Sequence, residues 1–151
     1  MSAESLFAVT RVAGRAGREV TGRAVRAVLG LAAAGLVLTA IVNLEDARFG
    51  PVPLVLAMFA GAITAGFPSS PAPLVVSALA IVLFVADDSG FSLWLVLGAS
   101  LLHTVHVLAG LADVIPARAR AEYRALAPSM RRWVRTQGAT VPVLVILAAL
   151  L

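Results

Sequence analysis

Residues 91–112 read FSLWLVLGASLLHTVHVLAGLA, 22 residues without one Asp, Glu, Lys or Arg. As a helix at 1.5 Å per residue this stretch measures about 33 Å. The hydrocarbon core of a bilayer is about 30 Å thick. A run of that length and character predicts a transmembrane helix, and the rest of the chain repeats the pattern. Upstream lie apolar runs at 27–44, 52–67 and 72–86, separated by three short breaks. The first break holds Asn43, Glu45, Asp46 and Arg48, then Gly50-Pro51. The second is Gly66-Phe67-Pro68-Ser69-Ser70-Pro71, without charge, and the third is Asp87-Asp88-Ser89-Gly90. Downstream, 113–137 is polar and basic, and 139–151 is a final apolar run of 13 residues. That run makes about 20 Å of helix, marginal for a crossing.

Composition leads to the same class. The chain is 60% hydrophobic and 13% charged, against about 45–50% and about 25% in soluble domains. So much apolar surface exceeds what a core of 151 residues hides, which leaves lipid to cover the remainder. The predicted fold class is all-α: a polytopic transmembrane helix bundle of four spans, with a partial C-terminal hydrophobic helix. Its parts are a basic amphipathic cytoplasmic arm (1–26), the bundle (27–112), basic interfacial helices (113–137) and the C-terminal helix (138–151). The second and third runs make only about 24 Å of helix each. Two full crossings are expected there, with a re-entrant hairpin as the alternative.

Charge sets the expected orientation. All twelve basic residues are arginine. Arg11, Arg15, Arg18, Arg23 and Arg26 precede the first run, and Arg118, Arg120, Arg124, Arg131, Arg132 and Arg135 follow the fourth. Only Arg48 stands apart. With four crossings and a cytoplasmic N-terminus, the inner segments hold eleven arginines against four acids, a net +7. The outer loops hold one arginine against four acids, a net −3, and together these give the chain's +4. This is the positive-inside pattern. Basic residues that flank apolar spans and are not interleaved with aromatics point to anionic lipid headgroups rather than nucleic acid. The expected partners are therefore the bilayer and a membrane protein or a second copy of the chain. The N-terminal arm, with Arg11, Arg15 and Arg18 on one stripe, and the second basic segment, with Arg118, Arg124, Arg131, Arg132 and the interface anchor Trp133, are the expected contacts.

In its all-arginine basic content and its wealth of Ala, Val, Leu and Gly, the chain resembles the small uncharacterised integral membrane proteins of actinobacteria. That resemblance is one of general character and implies a bacterial cytoplasmic membrane but no activity.

Within 113–137, Pro116 suits a first helical position, and Arg118 and Glu122 are spaced i,i+4 for pairing. Pro128 is expected to break that helix and Ser129 to cap a second one. Small residues recur every four positions at Ala57, Gly61 and Ala65, a spacing that lets helices approach closely. Packing within the bundle is favoured over a dimer face.

One constellation carries chemistry. His103 and His106 share a helical face, continued by Ser100, Gly110 and Asp113. Ionisable groups within a membrane helix are costly and face the bundle interior or a wet cavity. A metal or haem site lacks further donors, since no other His and no Cys exists in the chain; no cofactor is expected. A proton-responsive path fits imidazole chemistry. The structural alternative has the histidines bonded to Thr39, Thr64, Ser77 or a backbone carbonyl, and it is preferred. The expected role is an accessory or scaffolding subunit and not an enzyme. A small proton-linked transporter using the His103/His106 face is the alternative, and a membrane-embedded enzyme the third reading.

Overall fold

Thr21 sets the start of the first helix. Its backbone is extended, at φ −82 and ψ 145, and its hydroxyl accepts from the Ala24 N–H at 3.2 Å. A capping hydroxyl of this kind satisfies one of the N–H groups that the first turn leaves without a partner. The computed structural model of the chain describes residues 19–44, 51–86 and 92–150. They form five helices and a short two-stranded ribbon, an all-α architecture in essence. In chain order these are β1 (Glu19–Thr21), α1 (Gly22–Asn43), α2 (Pro51–Gly66), α3 (Ala72–Val85), α4 (Leu93–Val114), β2 (Arg120–Glu122) and α5 (Tyr123–Leu150). The N-terminal arm with Arg11, Arg15 and Arg18, and the acidic pairs Glu45-Asp46 and Asp87-Asp88, lie outside the described residues.

α1 is the central post. Helices α2, α3 and α4 all pack on it, and α5 packs on the outside of α4. Seven of the thirteen residues in the buried cluster belong to α1, from Val25 to Ala40. The close approach of α2 to α1 depends on glycine at two facing positions. A Cβ on Gly61 would lie 2.5 Å from the Gly30 carbonyl oxygen, and one on Gly30 would lie 2.9 Å from the Gly61 oxygen. The row Ala57–Gly61–Ala65 therefore serves packing inside the chain, with Ala57 buried and Ala65 against Gly30.

The two long helices α1 and α4, each of 22 residues, are long and apolar enough to cross a membrane. α2 and α3 are shorter, at 16 and 14 residues. Small and hydroxyl residues such as Ala33, Ala40, Ala80, Thr39 and Thr64 are buried beside Leu29, Leu36, Val37 and Val105. Large apolar side chains such as Phe59 (63%), Leu74 (67%) and Val85 (77%) are exposed.

The two ends of the bundle are tied differently. At one end Ser92, the N-cap of α4, donates to the Asn43 side-chain oxygen at the end of α1. At the other, β1 and β2 pair antiparallel, with Val20 opposite Ala121, and Gly22 N–H donates to the Ala119 carbonyl at 3.0 Å.

The segment 113–137 departs from expectation. α4 continues to Val114, and residues 116–119 turn, with Ala119 N–H donating to the Pro116 oxygen at 2.9 Å. Pro116 therefore opens a turn and not a helix. Arg118 and Glu122 sit in turn and strand, so their i,i+4 pairing does not arise; Arg120 pairs with Glu19 instead, at 3.2 Å. Pro128 does not end a helix, and Ser129 caps none. α5 runs unbroken through Pro128 and Pro142 for 28 residues, about 42 Å. The basic segment and the C-terminal apolar run are one element.

Candidate functional site

The stripe on α4 is built as helical spacing requires. His103, His106 and Gly110 lie at i, i+3 and i+7, and all three line a groove of about 530 Å³ between α4 and α5. Ser129, Arg132 and Thr136 of α5, with the same 3-and-4 spacing, form its opposite wall. Val107, Leu111 and Trp133 complete the lining. Space at the groove comes partly from Gly110, where an added Cβ would meet nothing within 4 Å.

Two hydrogen-bonded rungs fix α5 on α4. The Trp133 indole N–H donates to the Thr104 hydroxyl at 3.1 Å. The Gln137 amide donates to the Ser100 carbonyl at 2.8 Å, and the Ser100 hydroxyl donates to the Gln137 amide oxygen at 3.2 Å. Residue number falls along α4 as it rises along α5, so the two helices run antiparallel. Trp133, expected as an interface anchor, is thus seated against the middle of α4. Thr104 stands eleven residues after Leu93 and ten before Val114.

Two of the partners foreseen for the histidines, Thr39 and Thr64, are otherwise engaged. Thr39 donates to the Leu36 carbonyl at 2.9 Å, and Thr64 to the Ala60 carbonyl at 2.7 Å. Each hydroxyl closes on its own helix. His103 is half-buried, and its Nε2 is buried with no hydrogen-bond partner among the described residues. An unsatisfied buried polar atom costs about 1–3 kcal/mol. His106 is exposed and also lines a second cleft, of about 280 Å³, with Ser77, Asp113 and the Pro68–Ser70 turn. No three His, Cys, Asp or Glu side chains converge as a metal set among the described residues.

The arginines divide into two groups. The ribbon brings the start of α1 beside the α4–α5 connection, so Arg23, Arg118 and Arg120 line one groove of about 290 Å³ at that end. Arg26 reaches the last turn of α4, its guanidinium 3.5 Å from the Ala112 carbonyl, where a cation complements the helix dipole. Arg131, Arg132 and Arg135 form the second group and lie higher, on the turn of α5 that flanks Trp133. Together with Pro128, Ser129 and Thr136 they line a further groove of about 570 Å³. The pair Arg120–Glu19 is the one ion pair among the described residues, so none of these three meets a carboxylate there.

His103 and His106 are thus brought together as the spacing implied, and Asp113 joins His106 only in the second cleft. Ser100 belongs to the rung with Gln137. Arg124 is exposed at the start of α5. Sequence reasoning did not pair Arg132 with the histidines, though the matched spacing of 129–132–136 and 103–106–110 was there to see. No protein-family model, curated protein or solved structure matches the chain.

Proposed function

We propose that the chain is a multi-pass protein of a bacterial cytoplasmic membrane, an accessory or scaffolding subunit whose basic end contacts anionic headgroups or a partner. The carrying observation is the outward display of large apolar side chains, Phe59, Leu74 and Val85 among them, around a core in which Ala and Thr stand beside Val and Leu. In lipid, helices gain nothing by hiding Leu or Phe, and associate through small residues and hydroxyls. In water, an apolar surface this extensive is an interaction site or a liability. Four crossings by α1 to α4 put the ribbon, Arg23, Arg118 and Arg120 on one side. The positive-inside rule makes that side cytoplasmic, with the N-terminus there too. The same arginine groove suits anionic lipid, each basic residue near such a surface contributing about 1 kcal/mol.

Because the chain has no cysteine, single introduced cysteines test this directly. In cells, Phe59→Cys and Leu79→Cys should resist a water-soluble maleimide until the membrane is dissolved, while Ser69→Cys should label only from the cytoplasmic side. Ready labelling of Phe59→Cys without detergent would show a water-facing surface and remove the reading. Co-purification with a partner in mild detergent tests the accessory role; repeated isolation of the chain with lipid alone argues against it.

A small proton-linked transporter is the second reading, favoured by the opening of His103 and His106 onto a polar groove. That groove lies on the flank of α4 rather than inside the bundle, which weighs against a through-path. The enzyme reading requires a carboxylate or hydroxyl in hydrogen-bond reach of a histidine; among the described residues neither histidine has such a bond.

A further inference from the structure

The groove between α4 and α5 pairs two features that need each other. Arg132 stands beside Trp133, whose indole is bonded to the midpoint of α4. If α4 crosses the bilayer, as proposed above and as this inference assumes, the turn of α5 that carries Arg132 lies at about half-depth. A cation there is expensive unless it is paired or wet. The chain supplies no carboxylate for it among the described residues, and the groove lining includes no acidic side chain.

What the groove offers instead is hydrogen-bond donors. The Arg132 guanidinium and the Ser129 hydroxyl line it, and neither has a side-chain partner among the described residues. His103 and His106 form the opposite wall; the unsatisfied His103 Nε2 is itself sealed from solvent, so a ligand in the groove meets the rest of that ring. Thr136 contributes bulk only, since its hydroxyl donates to the Arg132 carbonyl at 3.0 Å. An arginine fork with imidazole and hydroxyl donors, and no acceptor of opposite charge, matches a tetrahedral oxyanion. Val107, Leu111 and the Trp133 ring give the same groove an apolar side. We propose that the α4–α5 groove binds a phosphate group, held by Arg132 with Ser129, His103 and His106. The group is either the phosphodiester of an anionic lipid drawn in from the side or the phosphate of a small soluble ligand.

Trp133 reports on the site from within it. The chain has only one other tryptophan, Trp94, so the protein carrying Trp94→Phe has a single emitter at the groove. In one arm this protein, in a neutral detergent, is titrated with inorganic phosphate and with glycerol 3-phosphate. In the other it is placed in phosphatidylcholine bilayers containing stepwise increasing phosphatidylglycerol. A saturable change in Trp133 emission is expected in at least one arm. Arg132→Gln should weaken it about tenfold or more, the loss of a charge-assisted bidentate contact, and Arg132→Lys should weaken it less. Arg131→Gln, which leaves this groove's lining intact, should change it little. Response to free phosphate assigns a soluble ligand; response to phosphatidylglycerol alone assigns a lipid. No saturable change in either arm, an unchanged response in Arg132→Gln, or an equal loss in Arg131→Gln overturns the site. Failure of the membrane reading shows separately, as aqueous labelling of Phe59→Cys, and removes the premise of a cation at half-depth.

Discussion

The Trp133 indole N–H donates to the Thr104 hydroxyl at 3.1 Å, and that bond joins the centre of the second long apolar helix to the most basic turn of the chain. Thr104 is itself held, since its hydroxyl donates to the Ser100 carbonyl at 2.8 Å. Ser100 in turn exchanges bonds with Gln137 one turn further along α5. Four side chains thus form one ladder along the α4–α5 seam. It explains why α5 follows α4 rather than lying flat at the bundle's end.

Members of such a ladder should be energetically coupled. Thr104→Val removes the acceptor for Trp133, and Gln137→Leu removes the second rung. Each should cost about 1 kcal/mol, the usual net value of an intramolecular hydrogen bond. Combined, the two changes should depart from additivity by about 0.5 kcal/mol or more, because they share Ser100 and one seam. Thermal unfolding in detergent, followed by far-ultraviolet circular dichroism, measures all three. Strict additivity would show two independent contacts and no ladder.

Glycine substitutions should separate close helix packing from mere helix propensity. Alanine at Gly61 or Gly30 forces backbone against backbone, at 2.5 and 2.9 Å from the facing carbonyl oxygen. Either change should destabilise by about 1–3 kcal/mol, the cost of overpacking. Gly66→Ala meets nothing within 4 Å, and it should be neutral or slightly stabilising. Unfolding midpoints for the three variants check the order; equal effects at all three positions would mean that α1 and α2 are not in close contact.

Much of this fold was legible in the sequence, and the part that was not has a common cause. The four apolar runs gave α1 to α4, because a long stretch without charge has one economical structure in lipid or in a core. The exact start of α1 was hidden. It depends on Gly22 lying where a Cβ would meet the Pro116 oxygen at 2.1 Å, a contact across the fold that no local pattern records. In 113–137 the local signals were clear and lost. Pro128 and Ser129 say break and cap, but the rungs at Trp133 and Gln137 hold α5 against α4 as one helix. The histidine face was readable from its i,i+3 spacing. The matching 3-and-4 spacing at Ser129, Arg132 and Thr136 was readable too, but not that it faces the histidines, because Arg132 shares a groove with His103 and His106 only after α5 docks.

At the ribbon, backbone contact should matter and charge should not. Glu19 and Arg120 pair at 3.2 Å, but their side chains are 48% and 71% exposed. Glu19→Gln should therefore shift stability by about 0.5 kcal/mol or less, as for most exposed pairs. Gly22→Ala should cost far more, about 1–3 kcal/mol, because the Pro116 backbone must move. A salt titration of the wild-type melting temperature offers a second check. A strong fall in stability with added salt would assign the ribbon to the ion pair after all.

Pro128 gives the sharpest test of whether α5 is one helix. Proline inside a helix has no N–H, so Pro128 leaves the Arg124 carbonyl without its i+4 donor, and its ring crowds that carbonyl. The cost relative to alanine in a helix interior is about 3 kcal/mol. The rungs between α4 and α5 lie past this point and must offset that cost where the helix runs on. Restoring the N–H with Pro128→Ala should then stabilise the protein, by about 1–3 kcal/mol, and leave Trp133 where it is. Its emission, read in the Trp94→Phe background, should keep its wavelength. The opposite outcome is equally informative. If Pro128 redirects the chain so that α5 meets α4 only because of a break there, Pro128→Ala should straighten α5 away from the seam. Stability would fall, and Trp133 would change environment as its bond to Thr104 is lost. Melting temperature and Trp133 emission, measured on the same variant, decide between a tolerated proline and a required one.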